Sequence, residues 1–233
     1  NADRLYYSKG NDYDSAPQDH YIDITSPSEP LMNGVAYDGG SYVFSSERFF
    51  RLLPSFAKGG NVGNLWRFIE VPNGKGLFAR WAIAVGQSIW FRAKDGIYET
   101  KGGAPVSITD EKLYPLFPHE GQPGVSFTIG SDTIAPPDDA VLTAQRLHFY
   151  NDYLYYDYQD TAGNRRTLVY NTLTKSWSLD AFSVPVLAHY GEEGSGVNNL
   201  LLGATSGRLY SNTGTSDAGT AIAVHIRTRS EDA

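Results

Sequence analysis

A two-strand hairpin pattern that recurs four times constrains the fold of this 233-residue chain more than any other feature. In its tightest form, the apolar run 200–202 is followed by a turn containing Ser206 and Gly207 and by a second run that ends at Tyr210. Two turn residues, one of them Gly, between two apolar runs are typical of a tight β-hairpin. The looser copies join residues 42–44 to 48–50, 88–91 to 96–98, and 153–156 to 167–170. We therefore predict an all-β fold.

The spacing of the hairpins indicates how they are arranged. Aligned on Tyr42, Ile89, Leu154 and Leu200, they lie 47, 65 and 46 residues apart. The second spacing is longer than the other two because of a Pro-rich insert around residues 115–140. A period in the mid-forties with four short antiparallel strands per unit is typical of β-propeller blades. We predict a β-propeller-like array of about four four-stranded antiparallel meanders, forming a small closed ring or part of a larger propeller. A β-sandwich is the alternative, although it gives no reason for this period.

The predicted organisation is a single β-propeller-like domain over residues 1–233. Its blade-like units cover residues 1–57, 64–117, 141–182 and 184–230, and residues 136–139 are interpreted as a linker-like boundary. Residues 77–85 are predicted to form one strand, residues 110–116 a single helical turn, and residues 58–64 a mobile loop. The chain starts without Met and stops after an alternating segment, so we expect it to be a piece of a longer chain.

Composition excludes several classes of function. The net charge of −7 does not suggest a basic face for nucleic acid. The absence of Cys removes disulfide frameworks, cysteine-ligated zinc and thiol catalysis. No run of about 18 apolar residues exists, so no membrane span is predicted, and the first residues do not read as a signal peptide.

The polar residues give no catalytic pattern. The five histidines have no metal-ligand spacing, and His148 and His225 are predicted to be partly exposed strand residues. The acidic pairs are interpreted as solvated turn residues, because adjacent loop acids do not form the converging pair of a glycosidase. The histidines are His20, His119, His148, His189 and His225, and the acidic pairs are Asp138 with Asp139, Asp157 with Asp160, and Glu192 with Glu193.

Three further motifs contain residue types that occur in functional sites. Ser195 stands between Gly194 and Gly196 in what is interpreted as a loop rather than a nucleophile elbow. The segment 214–219, which begins with Gly214 and ends with Gly219, is rich in oxygen ligands but lacks an EF-hand spacing, so cation binding stays open. The tryptophans are predicted to pack in the core, with sugar stacking as the alternative; they are Trp66, Trp81, Trp90 and Trp177. We predict no catalytic, cofactor-binding or metal-binding residue and no cofactor.

Short motifs spread over most of the chain resemble a known family. The opening segments are 4–8 (RLYYS), 21–24 (YIDI), 34–36 (GVA), 42–44 (YVF) and 48–50 (RFF); the later ones are 96–98 (GIY), 201–203 (LLG), 207–210 (GRLY) and 215–222 (TSDAGTAI), with Arg227 and Thr228 at the close. Together they look like the β-propeller structural proteins of tailed-phage virions, a family of tail hub and nozzle proteins and head–tail stabilisation components.

The resemblance implies a non-enzymatic structural subunit made in the host cytoplasm and located in the virion. Its expected partners are other tail or connector proteins and further copies of itself in a ring. Genomic DNA would pass through this ring without sequence-specific binding, and an acidic lining would repel its phosphates. One alternative is a secreted or surface propeller that binds or cleaves carbohydrate. The other is a generic protein-interaction propeller.

Overall fold

The computed structural model describes residues 3–8, 18–54, 66–110, 112–117, 122–129, 132–180, 186–194, 197–211, 216–217 and 220–221. Strands make up 52% of the model and helix 2%, so the all-β prediction is confirmed. A 3-10 turn lies at Leu142–Ala144. The strands are β1 Arg4–Tyr6, β2 Tyr21–Asp23, β3 Leu31–Tyr37, β4 Gly40–Ser45, β5 Phe49–Pro54, β6 Trp66–Glu70, β7 Ile83–Val85, β8 Ile89–Ala93, β9 Gly96–Thr100, β10 Val106–Ser107, β11 Phe127–Ile129, β12 Asp132–Ile134, β13 Arg146–Tyr150, β14 Tyr153–Gln159, β15 Arg165–Asn171, β16 Ser176–Asp180, β17 Val186–Gly194, β18 Val197–Ala204, β19 Leu209–Ser211, β20 Ser216–Asp217 and β21 Thr220–Ala221.

The strands form several small antiparallel sheets in which neighbours along the chain are neighbours in the sheet. The first meander is β3 to β6, the second is β7 to β10, and the third is β13 to β16. A three-stranded fourth sheet contains β17 to β19, and β1–β2, β11–β12 and β20–β21 are two-stranded. All four predicted hairpins are confirmed by the pairings of β4 with β5, β8 with β9, β14 with β15, and β18 with β19.

Two of the turns show why the sequence forms hairpins at these places. Asp38 and Gly39, between β3 and β4, have φ of 46° and 67°, and Asn151 and Asp152, between β13 and β14, have φ of 47° and 64°. Positive φ at both central residues is the requirement of a type I′ turn, whose twist matches that of the flanking strands. Gly, Asn and Asp tolerate this conformation better than other residues.

The sheets pack on one another in chain order. Phe44 of the first meander and Phe91 of the second share one buried cluster. Trp90 of the second meander and Leu154 of the third share another. Leu200 of the fourth sheet packs with residues of the third meander, and the β1–β2 hairpin covers the far face of the first meander. Period-two alternation gives each meander two buried faces.

The first strands of the four units also contact one another in order, β3 with β7, β7 with β13, and β13 with β17. Next to the hairpin turns, the Tyr37 hydroxyl donates to the Gln87 carbonyl at 2.9 Å, and the Gln87 amide donates to Asp152 Oδ1 at 2.7 Å. Towards the other end of β3, the Asn33 amide donates to the Arg80 carbonyl at 2.9 Å. These bonds tie the first unit to the second at both ends of β3, and the second unit to the third next to the hairpin turns.

No closed barrel or propeller ring is detected in the part of the chain that is described. The finer propeller arrangement therefore stays a prediction, as do the blade boundaries. The predicted loop at 58–64 lies outside the described residues, as does all of the alternating segment 222–228 that was expected to be the last strand.

Three local predictions differ from the structure. Only Ile83–Val85 of the predicted strand 77–85 is a strand. Residues 112–117 form hydrogen-bonded turns rather than a regular helix. The bond from the Leu113 N–H to the Thr109 carbonyl at 2.8 Å closes a turn of the helical i→i−4 type, so the predicted helical turn is present only as such separate turns. The predicted linker at 136–139 is packed, because Pro136 and Pro137 are buried and Pro137 bridges to Asp160. The insert contributes Phe117 and Ile134 to the core.

Candidate functional site

A buried polar cluster lies where the third meander meets the fourth sheet. Asp157 of β14 is 1% exposed and His189 of β17 is 5% exposed. Asp157 Oδ2 lies 2.7 Å from His189 Nδ1 and accepts from the His189 backbone N–H at 3.1 Å. Asp157 Oδ1 accepts from the Thr167 hydroxyl of β15 at 2.7 Å. An ionised carboxylate only accepts hydrogen bonds, so a donor to it from the ring is a His189 tautomer with the proton on Nδ1.

Strand alternation places these side chains on one face of the third meander. Asp157 is directly opposite Thr167 across the β14–β15 ladder, and directly opposite residues share a face. Tyr155, two residues before Asp157, lies on the same face, and its ring stacks on the His189 ring at a centroid distance of 4.5 Å. Tyr156 falls between them, so it faces the second meander instead.

Two more titratable groups border the pair. His148 of β13 is opposite Tyr155, and Asp180 of β16 is opposite Thr167. Burial lowers the pKa of His148, and the nearby His189 lowers it further. Burial raises the pKa of Asp180 above its ordinary range. Burial also raises the pKa of Tyr155 to about 12. We call Tyr155, His148, Asp157, Thr167, Asp180 and His189 the polar joint.

The His189–Asp157 pair has the geometry by which a carboxylate orients a histidine in acyl-transfer enzymes. Here, however, the two side chains are 0% and 1% exposed. A histidine that serves as a general base must reach the proton it abstracts within hydrogen-bond distance. Because the described sheets bury both members of the pair, the arrangement joins β17 to β14 and offers a substrate no access.

The interpretation of Asp157 and Asp160 as solvated turn residues is wrong. Asp157 belongs to the polar joint, and Asp160 is 0% exposed. Asp160 closes the β14–β15 turn by accepting from the backbone N–H groups of Ala162 and Asn164 at 3.0 and 2.8 Å. Burial alone would raise the pKa of Asp160, but the hydrogen bonds from Arg166 and Asn164 outweigh it and lower the pKa.

The remaining acidic residues and histidines lie in different parts of the structure. Glu192 and Glu193 lie within β17 and not in a turn. Asp139 is exposed, as expected, and Asp138 is half-buried. His148 is the partly exposed strand residue that was predicted. The ring of His20 stacks on that of Tyr7. His119 and His225 lie outside the described residues. The same is true of Ser195, Gly196 and most of the segment 214–219.

Three of the tryptophans divide between core and surface, and the side chain of the fourth, Trp66, lies outside the described part of the structure. Trp90 is 1% exposed, and Trp177 is half-buried with its indole N–H donating to the Ile108 carbonyl at 2.9 Å. Trp81 is 51% exposed, so the prediction of core packing is wrong for this residue. It precedes the short strand β7 in the irregular segment where a longer strand was expected, and the Arg80 guanidinium lies 5.8 Å from its ring centroid.

A second buried charge was missed by sequence reasoning. The Arg92 side chain is 2% exposed, and its guanidinium carbon lies 4.7 Å from the centroid of the Phe117 ring. Its ion pair with Asp139 is long, at 3.6 Å. Asp139 also accepts from Gln145 at 3.2 Å, and Gln145 accepts from the buried Tyr156 hydroxyl at 2.9 Å. This network anchors the insert to the second and third meanders.

A third polar cluster fixes the segment before β3. Arg48 Nη2 lies 2.8 Å from Glu29 Oε2, and Arg48 Nη1 lies 2.9 Å from Glu70 Oε2. The Ser45 hydroxyl also donates to Glu29. The Arg48 guanidinium holds the pKa of Glu29 below its ordinary range. The cluster connects residues of three sequence segments, and it therefore holds these segments together.

Within the described ranges, no three His, Asp or Glu side chains converge in positions that could hold a metal ion. No helix in that same part of the chain is long and apolar enough to cross a bilayer. Comparison with the models of known protein families gives no match. Comparison with curated protein sequences gives none either.

Proposed function

We propose that the four units are blades of a β-propeller and that the chain is a non-enzymatic structural subunit of a tailed-phage virion, in a tail hub, nozzle or head–tail connector. The subunit would form a homo-oligomeric ring with other tail proteins as partners, and genomic DNA would pass through that ring without sequence-specific binding. The proposal rests on the sequence resemblance and on one structural observation.

That observation is the order of contacts between first strands. β3 contacts β7, β7 contacts β13, and β13 contacts β17, while the sheets behind them pack in the same order. Radial repetition of four-stranded sheets around an axis produces this pattern, because the innermost strand of each blade meets that of the next. A sandwich would instead show two larger sheets facing each other.

The polar clusters support a structural role. Each described cluster connects separate sheets or segments, and the most buried one is closed to substrate. The exposed side of the molecule offers contact surface as well. The outer strand β6 is exposed from Arg67 to Glu70, with Phe68 39% and Ile69 41% exposed. An exposed edge strand is a template for pairing with another chain.

The charged residues in the first strands of the units are relevant to the predicted acidic lining of a DNA channel. β3, β7 and β13 contain no Asp or Glu, and their charged residue is Arg146, whereas β17, the first strand of the fourth sheet, contains Glu192 and Glu193. If these strands line the channel, most of their length presents uncharged residues to DNA. The weak attraction expected from such a surface still allows passage without sequence-specific binding.

The test is electron microscopy of the native particle that contains this chain, purified from its source. A ring of several copies attached to a portal or tail is expected, and a free monomer would contradict the proposal. In the full-length protein, Ile69→Lys on β6 is expected to weaken ring formation. Val125→Lys is the matched control, because Val125 is 61% exposed but lies outside every strand.

Trp81 favours one alternative, a propeller that binds carbohydrate. An exposed indole can stack on a sugar ring, and Trp81 is half exposed beside Arg80. If the particle proves to be a free monomer, a glycan array with the wild-type protein and Trp81→Ala is the next measurement. Binding that is lost in the variant would support this alternative, and a ring without glycan binding would support the structural role.

A further inference from the structure

We propose that the turn at residues 79–82 is a binding site for an acidic sugar, whose ring stacks on the Trp81 indole while its carboxylate pairs with the Arg80 guanidinium. The inference names a ligand class for the carbohydrate-binding alternative above, and it rests on that alternative for the sugar itself. It does not depend on the role in a virion. The binding test therefore succeeds or fails whatever electron microscopy shows for the ring.

A hydrogen-bonded turn presents the two side chains together. The Ala82 N–H donates to the Ala79 carbonyl at 2.9 Å, so Arg80 and Trp81 are the two central residues of a four-residue β-turn. Ala79 and Ala82 are each 0% exposed, whereas Arg80 is exposed and Trp81 is 51% exposed. The turn is therefore anchored in the core at both ends, and its two large side chains reach the solvent side by side.

Neighbouring units hold the backbone of this turn from both sides. The Asn33 amide of β3 donates to the Arg80 carbonyl at 2.9 Å, and the Leu147 N–H of β13 donates to the Trp81 carbonyl at 3.3 Å. The turn itself leads into β7, so it lies where the first three units meet. A platform that is fixed before binding loses little conformational entropy when a ligand arrives.

The Trp81 indole supplies an apolar surface that fits the ring of a sugar. A tryptophan side chain combines a large apolar body with a polar N–H. Half of the Trp81 surface is in contact with water, and covering apolar surface is favourable. The C–H groups on one face of a pyranose ring provide such a cover, while the hydroxyl groups at its edge stay solvated.

The Arg80 guanidinium adds a preference for negative charge. Its central carbon lies 5.8 Å from the centroid of the Trp81 ring, so substituents of a sugar stacked on the indole come within its reach. A guanidinium can pair with a carboxylate through two parallel N–H···O bonds. A hexuronate carries a carboxylate where a neutral hexose carries a hydroxymethyl group, so it engages both side chains at once.

A single-stranded nucleic acid is the rival occupant, because its bases also stack on aromatic rings and its phosphates pair with arginine. Proteins that bind such strands combine a positively charged groove with several aromatic rings along it. This turn offers one indole, and the net charge of the chain is −7, which opposes the approach of closely spaced phosphates. The observations therefore favour a ligand of which one ring and one carboxylate engage the turn.

The experiment is an NMR titration of the isotope-labelled full chain with trigalacturonate at pH 7.5, followed through the indole N–H signals. The Trp81 signal is identified by its loss in Trp81→Ala. We expect it to shift during the titration while that of the buried Trp90 stays in place. The fully methyl-esterified trisaccharide keeps the rings and lacks the charges. It is expected to bind about fivefold more weakly, which is the scale of an exposed ion pair.

Four variants assign the two contributions, with dissociation constants measured by calorimetry. Trp81→Ala is expected to weaken binding of both trisaccharides by about tenfold. Arg80→Gln is expected to weaken binding of the acid alone, so that acid and ester bind equally. Tyr153→Ala is the matched aromatic control, because Tyr153 is 40% exposed and follows the turn at the opposite end of β13. Lys101→Gln removes an exposed cation that follows β9, and it should change neither constant.

The wild-type chain alone decides the inference, even if a variant fails to fold. Equal affinity for the acid and its ester would overturn the acidic preference and leave the carbohydrate-binding alternative in place. A Trp81 signal that shifts with neither trisaccharide would overturn both. Tighter binding of octathymidylate than of trigalacturonate, accompanied by a shift of the Trp81 signal, would assign the turn to single-stranded nucleic acid and overturn the inference.

Discussion

The third meander makes two joints of opposite character with the same strands. Towards the second meander, β14 presents Leu154, Tyr156 and Tyr158 to an apolar joint that contains Trp90 stacked on Phe149 at 4.8 Å. Towards the fourth sheet, the alternate residues Tyr155 and Asp157 of the same strand face the polar joint. One strand with period-two alternation therefore supplies both kinds of interface.

The two joints differ in how they contribute to the stability of the fold. Apolar burial contributes about 25 cal/mol per Å² whatever the pH, and it tolerates small changes of register. A buried ion pair contributes little net stability, but removing one partner leaves an uncompensated charge. We expect the apolar joint to supply most of the stability and the polar joint to fix which residues meet.

The largest effect is expected from Trp90→Ala in the apolar joint. Truncating a buried aromatic side chain removes its contacts and leaves a cavity, which costs about 4 kcal/mol. Trp90 is 1% exposed and stacks on Phe149, so neighbouring groups cannot easily fill the space. Urea unfolding followed by far-UV circular dichroism measures the change without relying on the deleted fluorophore.

Trp81→Ala is the matched control for that substitution. Trp81 is 51% exposed, and surface substitutions usually change the free energy of unfolding by less than about 0.5 kcal/mol. Equal losses for the two tryptophan variants would mean that the apolar joint does not carry the stability that its burial indicates.

A smaller effect, about 3 kcal/mol, is expected from Asp157→Ala in the polar joint. The substitution removes the acceptor of Thr167 and of both His189 donors in a buried site. The loss should be concentrated in β17 and β18, because the other face of β14 keeps its apolar contacts. Equilibrium unfolding gives the total, and hydrogen exchange gives its location.

The control is Asp23→Ala, which breaks the ion pair of Asp23 with Arg4 at 2.7 Å on the surface. The Asp23 side chain is 53% exposed, and exposed pairs contribute no more than about 1 kcal/mol. If Asp157→Ala cost no more than Asp23→Ala, the polar joint would be a solvated contact and not a buried one.

Sequence patterns predicted the hairpins because the necessary information is local. Strand alternation around Leu154 and Leu168 and the turn residues near Asn151 lie within a few positions of one another. The tryptophan at position 81 was misplaced because its apolar neighbours suggested a continuous strand. The structure instead begins β7 at Ile83, where Ala82 has already made a turn bond to Ala79.

The polar joint was not predicted because it depends on which sheets face each other. Asp157 and His189 are 32 positions apart and belong to different sheets, so no short spacing connects them. A weaker signal was present. Asp157 alternates with Tyr155 inside an apolar strand, which places a carboxylate on a buried face and calls for a partner. Reading it as a turn acid, on account of the nearby Asp160, concealed that signal.

The smallest effect that still separates the two joints is expected from Thr167→Val. Valine keeps the branched shape of threonine and removes the hydroxyl that donates to Asp157 at 2.7 Å, which costs about 1 kcal/mol. Thr133→Val is the control, because Thr133 is exposed and its hydroxyl contact with Thr128 is 3.3 Å long, so a change below about 0.5 kcal/mol is expected. Unfolding at pH 7.5 and hydrogen exchange of β17 measure both variants. A stabilised Thr167→Val would show that burying the hydroxyl costs more than its bond contributes, and Asp157 would then be held by His189 alone.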